Sequence, residues 1–258
     1  MWSQRSLARL PGVHYDPAAV LRSIDDHTVA LLVPCAIAFV LNYVWFIDGM
    51  RVARRERLYS MPIAATYAFM AHDLAYVGHF STWFGAGGHW FSKLFWVGML
   101  LSFLMELILL WQTIEYGRAE HAPQWSQAVW TGAVLAGLAG TLVIWWVLKG
   151  TLADPLFLLS LGLITAAYPP LGTALLLHRR SRAGQTVLMW AAFTGLTLFW
   201  FPATTLGFGS QFRSWPWVGL GLLTIAWGAL NTWLVAHAPA RPPAESEGPS
   251  RSEVFLGT

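Results

Sequence analysis

Asp73 and Glu106 are the residues from which chemistry is most directly argued, because each is a carboxylic acid set deep inside a long apolar run. An acid in such a place costs about several kcal/mol unless it is neutral or paired, so it marks a functional position by default. Asp73 stands eleven positions into its run and Glu106 twelve into the next. At about 1.5 Å per residue of helix, both lie near the middle of a membrane. Antiparallel neighbouring helices bring such positions together. Two carboxyls sharing a dry cavity tend to hold a proton between them, because desolvation and like charge both disfavour ionisation. At least one is expected to be a neutral acid, able to protonate an apolar substrate or to pass a proton along. The plainer alternative is that each acid only bonds a neighbouring hydroxyl or backbone carbonyl.

Other polar residues carry weaker signals. His72 adjoins Asp73 but lies about 100° around a helix from it, which suits a packed or interfacial histidine. Asp48, Asp154 and Glu115 fall at the ends of apolar runs, where water and helix ends account for a charge. Tyr76 and Phe69, at i+3 and i−4 from Asp73, share its helix face, and Trp200 and Trp227 are deep enough to look into a cavity. Core packing explains any one of these rings. Together, aromatic faces around a buried acid suit a carbocation reaction, since a π surface stabilises a passing cation without offering it a nucleophile. Trp90, Trp125 and Trp217 stand at run ends and fit an interfacial belt.

The elements that must position these groups follow from composition. Of 258 residues, 56% are hydrophobic and only 11% charged, with a mean hydropathy of +0.50. Seven runs are long enough to cross a hydrocarbon core, approximately 29–47, 62–80, 94–114, 128–148, 155–177, 187–206 and 218–237. They lack the alternation of a barrel, and an open sheet cannot satisfy its backbone in lipid. The expected fold is an all-α integral membrane protein, a seven-transmembrane-helix bundle over residues 29–237. Residues 1–28 form an extracytoplasmic or interfacial segment without the pattern of a signal peptide, and residues 238–258, rich in proline, serine and glutamate, form a disordered cytoplasmic tail. Arg51, Arg54, Arg55 and Arg57 after the first run, and Arg179, Arg180 and Arg182 after the fifth, place those loops in the cytoplasm and the amino terminus outside. Fourteen arginines against two lysines suggest a GC-rich bacterial source, hence a bacterial cytoplasmic membrane.

Several classes are excluded. No lysine follows Lys149, so a retinal Schiff base in the last helix is impossible. The single cysteine, Cys35, allows neither an intrachain disulfide nor a cysteine-based zinc site. The paired Asp-rich motifs that hold magnesium and diphosphate are missing, Asp25-Asp26 being isolated, and there is no Asp-x-Asp-Asp motif, Walker loop, nucleophile elbow or HExxH. No metal and no cofactor are expected. The formal charge of +3 is scattered between apolar runs rather than gathered on a face, which argues against nucleic acid. No repeat relates the first and last three helices, which weakens a transporter reading.

Two stretches are more specific than composition. An arginine-rich loop leads into Tyr59-Ser60-Met61-Pro62, with Asp73 eleven residues after the proline; Glu106-Leu-Ile-Leu-Leu-Trp111-Gln112 is followed by Tyr116-Gly117-Arg118. This pattern resembles the transmembrane terpene cyclases, small seven-helix enzymes of fungal indole-diterpene and meroterpenoid pathways with actinobacterial relatives. In that family a Met-Pro pair opens the second helix and a Trp-Glu pair follows at this spacing, the glutamate being regarded as the proton donor; His72-Asp73 occupies the pair here. The family's second important acid, an aspartate in the last helix, is replaced by Asn231, which can orient a neutral carboxyl or bond a substrate oxygen but cannot act as an acid.

The resemblance implies a membrane-bound cyclase that protonates a terminal alkene or epoxide of a prenylated substrate, without ionising a diphosphate, and directs ring closure. Asp73 is then the expected donor, Glu106 supplies or tunes its proton, and Asn231 positions the substrate. Tyr76, Phe69, Trp200, Trp227 and His72 are the expected lining. The substrate partner is a prenylated hydrophobic small molecule, and a prenyltransferase or an epoxidising flavoenzyme would be coupled functionally. Two other classes stay open: a proton-coupled transporter with Asp73 and Glu106 as relay, and a noncatalytic subunit whose acids pair with a partner helix.

Overall fold

A computed structural model describes residues 15–240, and every regular element among them is helical. In chain order these are α1 (Pro17–Asp26), α2 (Thr28–Glu56), α3 (Ile63–Gly78), α4 (Phe80–Phe84), α5 (Trp90–His121), α6 (Gln127–Leu152), α7 (Leu158–Arg179), α8 (Val187–Gly207), a 3₁₀ turn (Ser210–Arg213) and α9 (Trp215–His237). Residues 1–14 of the expected surface segment and 241–258 of the expected tail lie outside the described residues. Six described helices, α2 and α5 to α9, are long and apolar enough to cross a membrane.

α3 differs from the expected long second span. It has 16 residues, about 24 Å at 1.5 Å per residue against a hydrocarbon core of about 30 Å. The apolar run breaks at Gly78–His79, and α4 continues it as a separate single turn and a half. α3 nevertheless joins opposite ends of α5. The chain just before it holds Tyr59, whose hydroxyl meets His121 Nε2 at 2.6 Å. At its far end Tyr76 donates to the Ser92 carbonyl at 3.2 Å and Trp96 donates to the Val77 carbonyl at 3.0 Å. α3 and α5 are therefore antiparallel.

α2 outruns its apolar stretch because nothing in Arg51–Glu56 breaks a helix; it stops only where Arg57 turns left-handed (φ 55°) and its N–H bonds the Ala53 carbonyl. α2 packs along α8, α8 along α9, and α9 along α7, while α3 packs against α5, α6 and α7. Two α7 glycines permit close approaches: Gly172 lies under Trp190 and Gly162 under Trp217, where a Cβ would stand 2.2 and 2.4 Å from the indoles. Trp217 is thus packed inside the bundle, its N–H on Thr204 Oγ1 at 3.1 Å.

Each end of the bundle has its own clamp. At one, Asp154 caps α7, accepting from the Leu158 and Ser160 backbone N–H groups at 3.0 and 2.8 Å, from Ser160 Oγ at 2.7 Å and from the Tyr15 hydroxyl. Burial and the Asp154 charge raise Tyr15 far above the ordinary phenol range, so it remains a donor. At the other, Arg179 grips Glu120 through two nitrogens at 3.0 and 2.8 Å and lies over the Tyr59 ring. Burial pushes Tyr59 up to about 12, so it meets His121 as a neutral hydroxyl.

Candidate proton-transfer site

Side chains three and four residues apart share a helix face, and five helices turn such a face toward one interior cavity. α2 presents Ala38, Asn42, Trp45 and Phe46; α3 presents Phe69 and Asp73; α5 presents Phe95, Met99, Ser102 and Glu106. α7 adds Leu161 and Thr165, and α8 adds Phe193, Leu196 and Trp200. The cavity measures about 50 Å³, room for a few waters and far less than a prenyl chain. Its wall is aromatic and aliphatic apart from the two acids, Asn42, Ser102 and Thr165; no arginine or lysine lines it.

Asp73 and Glu106, 3% and 1% exposed, therefore meet in one chamber as their spacing predicts. Their bonding differs. Asp73 Oδ1 is 2.7 Å from His72 Nδ1, and His72 Nε2 is 3.1 Å from the Phe157 carbonyl. His72 is fully buried, edge-on to Trp145 and Phe157. The expectation of a merely packed histidine is revised: adjacency along the chain lets the two side chains bend toward each other despite the 100° between their Cα positions. A carbonyl can only accept, so Nε2 carries a hydrogen. Neither Glu106 oxygen has a hydrogen-bond partner among the described residues. Ser102, one turn earlier on the same face, accepts from Asn42 Nδ2 at 3.1 Å and makes no bond to Glu106. The Trp200 indole N–H on the cavity wall is likewise unbonded.

The remaining expected residues fall in three places. Phe69 and Trp200 line the cavity. Tyr76 is buried one turn nearer the bundle end, stacked on Trp83 with its hydroxyl on the Ser92 carbonyl, and does not reach the wall. Asn231 and Trp227 lie between α7 and α9: Trp227 Nε1 donates to Thr173 Oγ1 at 2.9 Å, Asn231 Oδ1 is 2.6 Å from that oxygen, and Asn231 Nδ2 donates to the Pro169 carbonyl at 2.8 Å. The structure does not bring these two to the acids. Asn42, Ser102, Trp45 and Phe193 were not singled out by sequence. A polar Asn42 in the middle of an apolar run is the one signal that could have found them.

An outer groove of about 280 Å³ runs between α2 and α5, bordered by exposed Val40, Leu94, Val97 and Leu101. It shares Phe39 and Phe95 with the acid cavity, and these rings meet edge to face at 5.6 Å. Among the described residues no cluster of three or more His, Cys, Asp or Glu is placed to hold a metal. Protein-family models, curated proteins and solved structures offer no match to this chain.

Proposed function

We propose that this protein is a membrane-bound terpene cyclase whose cavity protonates a terminal alkene or epoxide of a prenylated substrate and guides the resulting cation through ring closure. The carrying observation is two buried carboxyls facing an aromatic chamber that no basic residue lines. The cascade balances without a cofactor. An acid O–H breaks as a C–H bond forms at the alkene terminus, leaving a tertiary cation; a neighbouring π pair forms each new C–C bond, and a final C–H bond returns its proton to a base. With an epoxide, the ring oxygen takes the first proton as its C–O bond breaks. Trp45, Phe69, Phe193 and Trp200 offer π faces to the migrating charge, and the closed bundle keeps water from quenching it.

The chamber is too small as it stands for such a chain, so the substrate enters from the bilayer through the α2–α5 groove, displacing Phe39 and Phe95. Seven segments cross the membrane in this reading, α3 with α4 completing the second. The arginine-rich ends of α2 and α7 face the cytoplasm of a bacterial cell and the amino terminus lies outside. A prenyltransferase, with or without an epoxidising enzyme, supplies the substrate.

A proton-coupled transporter is the second reading, favoured by the same small volume: a chamber of about 50 Å³ with two acids suits a relay for protons. Purified protein in nanodiscs, given a farnesylated phenol or its terminal epoxide, separates them. The cyclase returns an isomer of equal mass and altered retention. Recovery of unchanged probe, together with its passage across sealed vesicles, overturns the cyclase reading.

A further inference from the structure

We infer that Glu106, rather than Asp73, hands the proton to the substrate, and that the His72–Asp73 pair receives the proton lost at the end of the cascade and returns it to Glu106. This division of labour rests on the cyclase reading and extends it by assigning each atom a task.

Proton accounting carries the argument. Phe157 O fixes a hydrogen on His72 Nε2. The 2.7 Å contact between Nδ1 and Asp73 Oδ1 then requires one hydrogen between them, held either by the ring or by the carboxyl. In both forms the pair is neutral overall, and in both that hydrogen points along the His72–Asp73 axis rather than at a substrate. Donation from Oδ1 would break the only hydrogen bond Asp73 makes among the described residues and leave two buried polar atoms unpaired. Glu106 has no such commitment: both of its oxygens are unbonded and buried on the wall of the same chamber. Beside this net-neutral pair, the described lining consists of Asn42, Ser102, Thr165, aliphatic side chains and rings, so no unpaired cation among them holds Glu106 as a carboxylate.

At the start, then, Glu106 carries its own proton. Transfer to the alkene leaves the Glu106 carboxylate as counterion to the cation inside the chamber. When the last C–H bond breaks, its electron pair forms the product alkene and the proton goes to Asp73 Oδ2, the oxygen not bonded to His72. The shared hydrogen then sits on His72, whose positive ring balances Glu106. Passage of the proton from Oδ2 to Glu106 resets the site. Asp73 and Glu106 are the catalytic residues, and His72 is a positioning residue acting through Asp73.

Infrared spectroscopy of the full-length protein in nanodiscs, with no substrate present, tests where the resting proton lies. The expected result is a protonated-carboxyl stretch at the unbonded, high-frequency end of its range at neutral pH, moved by deuterium exchange, lost in Glu106→Gln and kept in Asp73→Asn. Should a variant fail to fold, wild-type protein labelled with ¹³C-carboxyl glutamate or aspartate gives the same assignment: the band moves with labelled glutamate. A band that follows aspartate, or no such band, overturns the inference whatever a product assay gives. With the farnesylated phenol, Glu106→Gln lowers product formation by about 100-fold or more, and His72→Phe lowers it less while moving the pH–rate profile. Product formation unaffected by Glu106→Gln overturns the donor role. A band on Glu106 with no product from either probe overturns the cyclase reading, and the transfer step falls with it.

Discussion

Asp154 and Glu106 are both buried carboxyls, 2% and 1% exposed, yet their surroundings are opposite. Asp154 receives two backbone N–H groups and two hydroxyls and ties Tyr15 to the start of α7. Glu106 receives no hydrogen bond among the described residues. A carboxyl saturated with donors contributes stability, because each such bond is strengthened by charge; one left without partners costs stability, and its retention calls for another explanation. The Asn231–Thr173–Trp227 cluster belongs with Asp154, since its polar atoms are spent on holding α9 to α7. Bonding, rather than depth alone, separates scaffold from site.

That contrast can be broken most forcefully by exchanging the two carboxyls for amides. Asp154→Asn replaces two accepting oxygens by one and is expected to cost about 3 kcal/mol of stability, read as a lower thermal midpoint in nanodiscs, with cyclisation by the surviving folded protein unchanged. Glu106→Gln is expected to do the reverse, abolishing product without lowering that midpoint. A smaller effect sharpens the scaffold side: Asn231→Ala loosens the α7–α9 contact by about 1–2 kcal/mol, and the product distribution stays as in the wild type. Glu106→Met, which replaces an unbonded carboxyl with an apolar group of similar length, is expected to raise stability by about 1 kcal/mol, read as a higher midpoint; a fall would show that Glu106 has a structural partner.

The smallest effect lies at the surface. Asp25 accepts the Trp90 indole N–H at 2.7 Å and faces His89 Nε2 at 3.1 Å, and these donors hold it below the ordinary aspartate range. A carboxyl lowered in the folded state stabilises it at pH above the unfolded value, and the contribution is lost as pH falls toward the folded one. Trp90→Phe is therefore expected to lower stability slightly at neutral and alkaline pH, the gap to wild type closing as pH falls through the folded Asp25 value, read as thermal midpoints across pH.

Much of this was legible from residue type. Acids in apolar runs stand out on cost alone, so Asp73 and Glu106 declared themselves, and a spacing of four brought Phe69 onto the Asp73 face. Register between helices is not written in one chain. Asn42 and Ser102 share the acid chamber, whereas Asn231 and Trp227, at comparable depth, are turned to a different seam. The tie between His72 and Asp73 escaped a helical-wheel argument because neighbouring side chains meet by bending at χ angles that the wheel ignores. The six long helices and the shortened α3 show the same limit: hydropathy locates an apolar run, but the break at Gly78–His79 depends on how the following turn packs against α5.

A protein carboxyl, on this reading, delivers to carbon a proton that exchanges with solvent whenever the chamber is empty between turnovers. Incubating the nanodisc-embedded protein with the farnesylated phenol in deuterium oxide and weighing the product tests it directly. The expected product is a cyclic isomer carrying one non-exchangeable, carbon-bound deuterium. A cyclic product without it, or probe recovered uncyclised and undeuterated, would overturn proton delivery by Glu106.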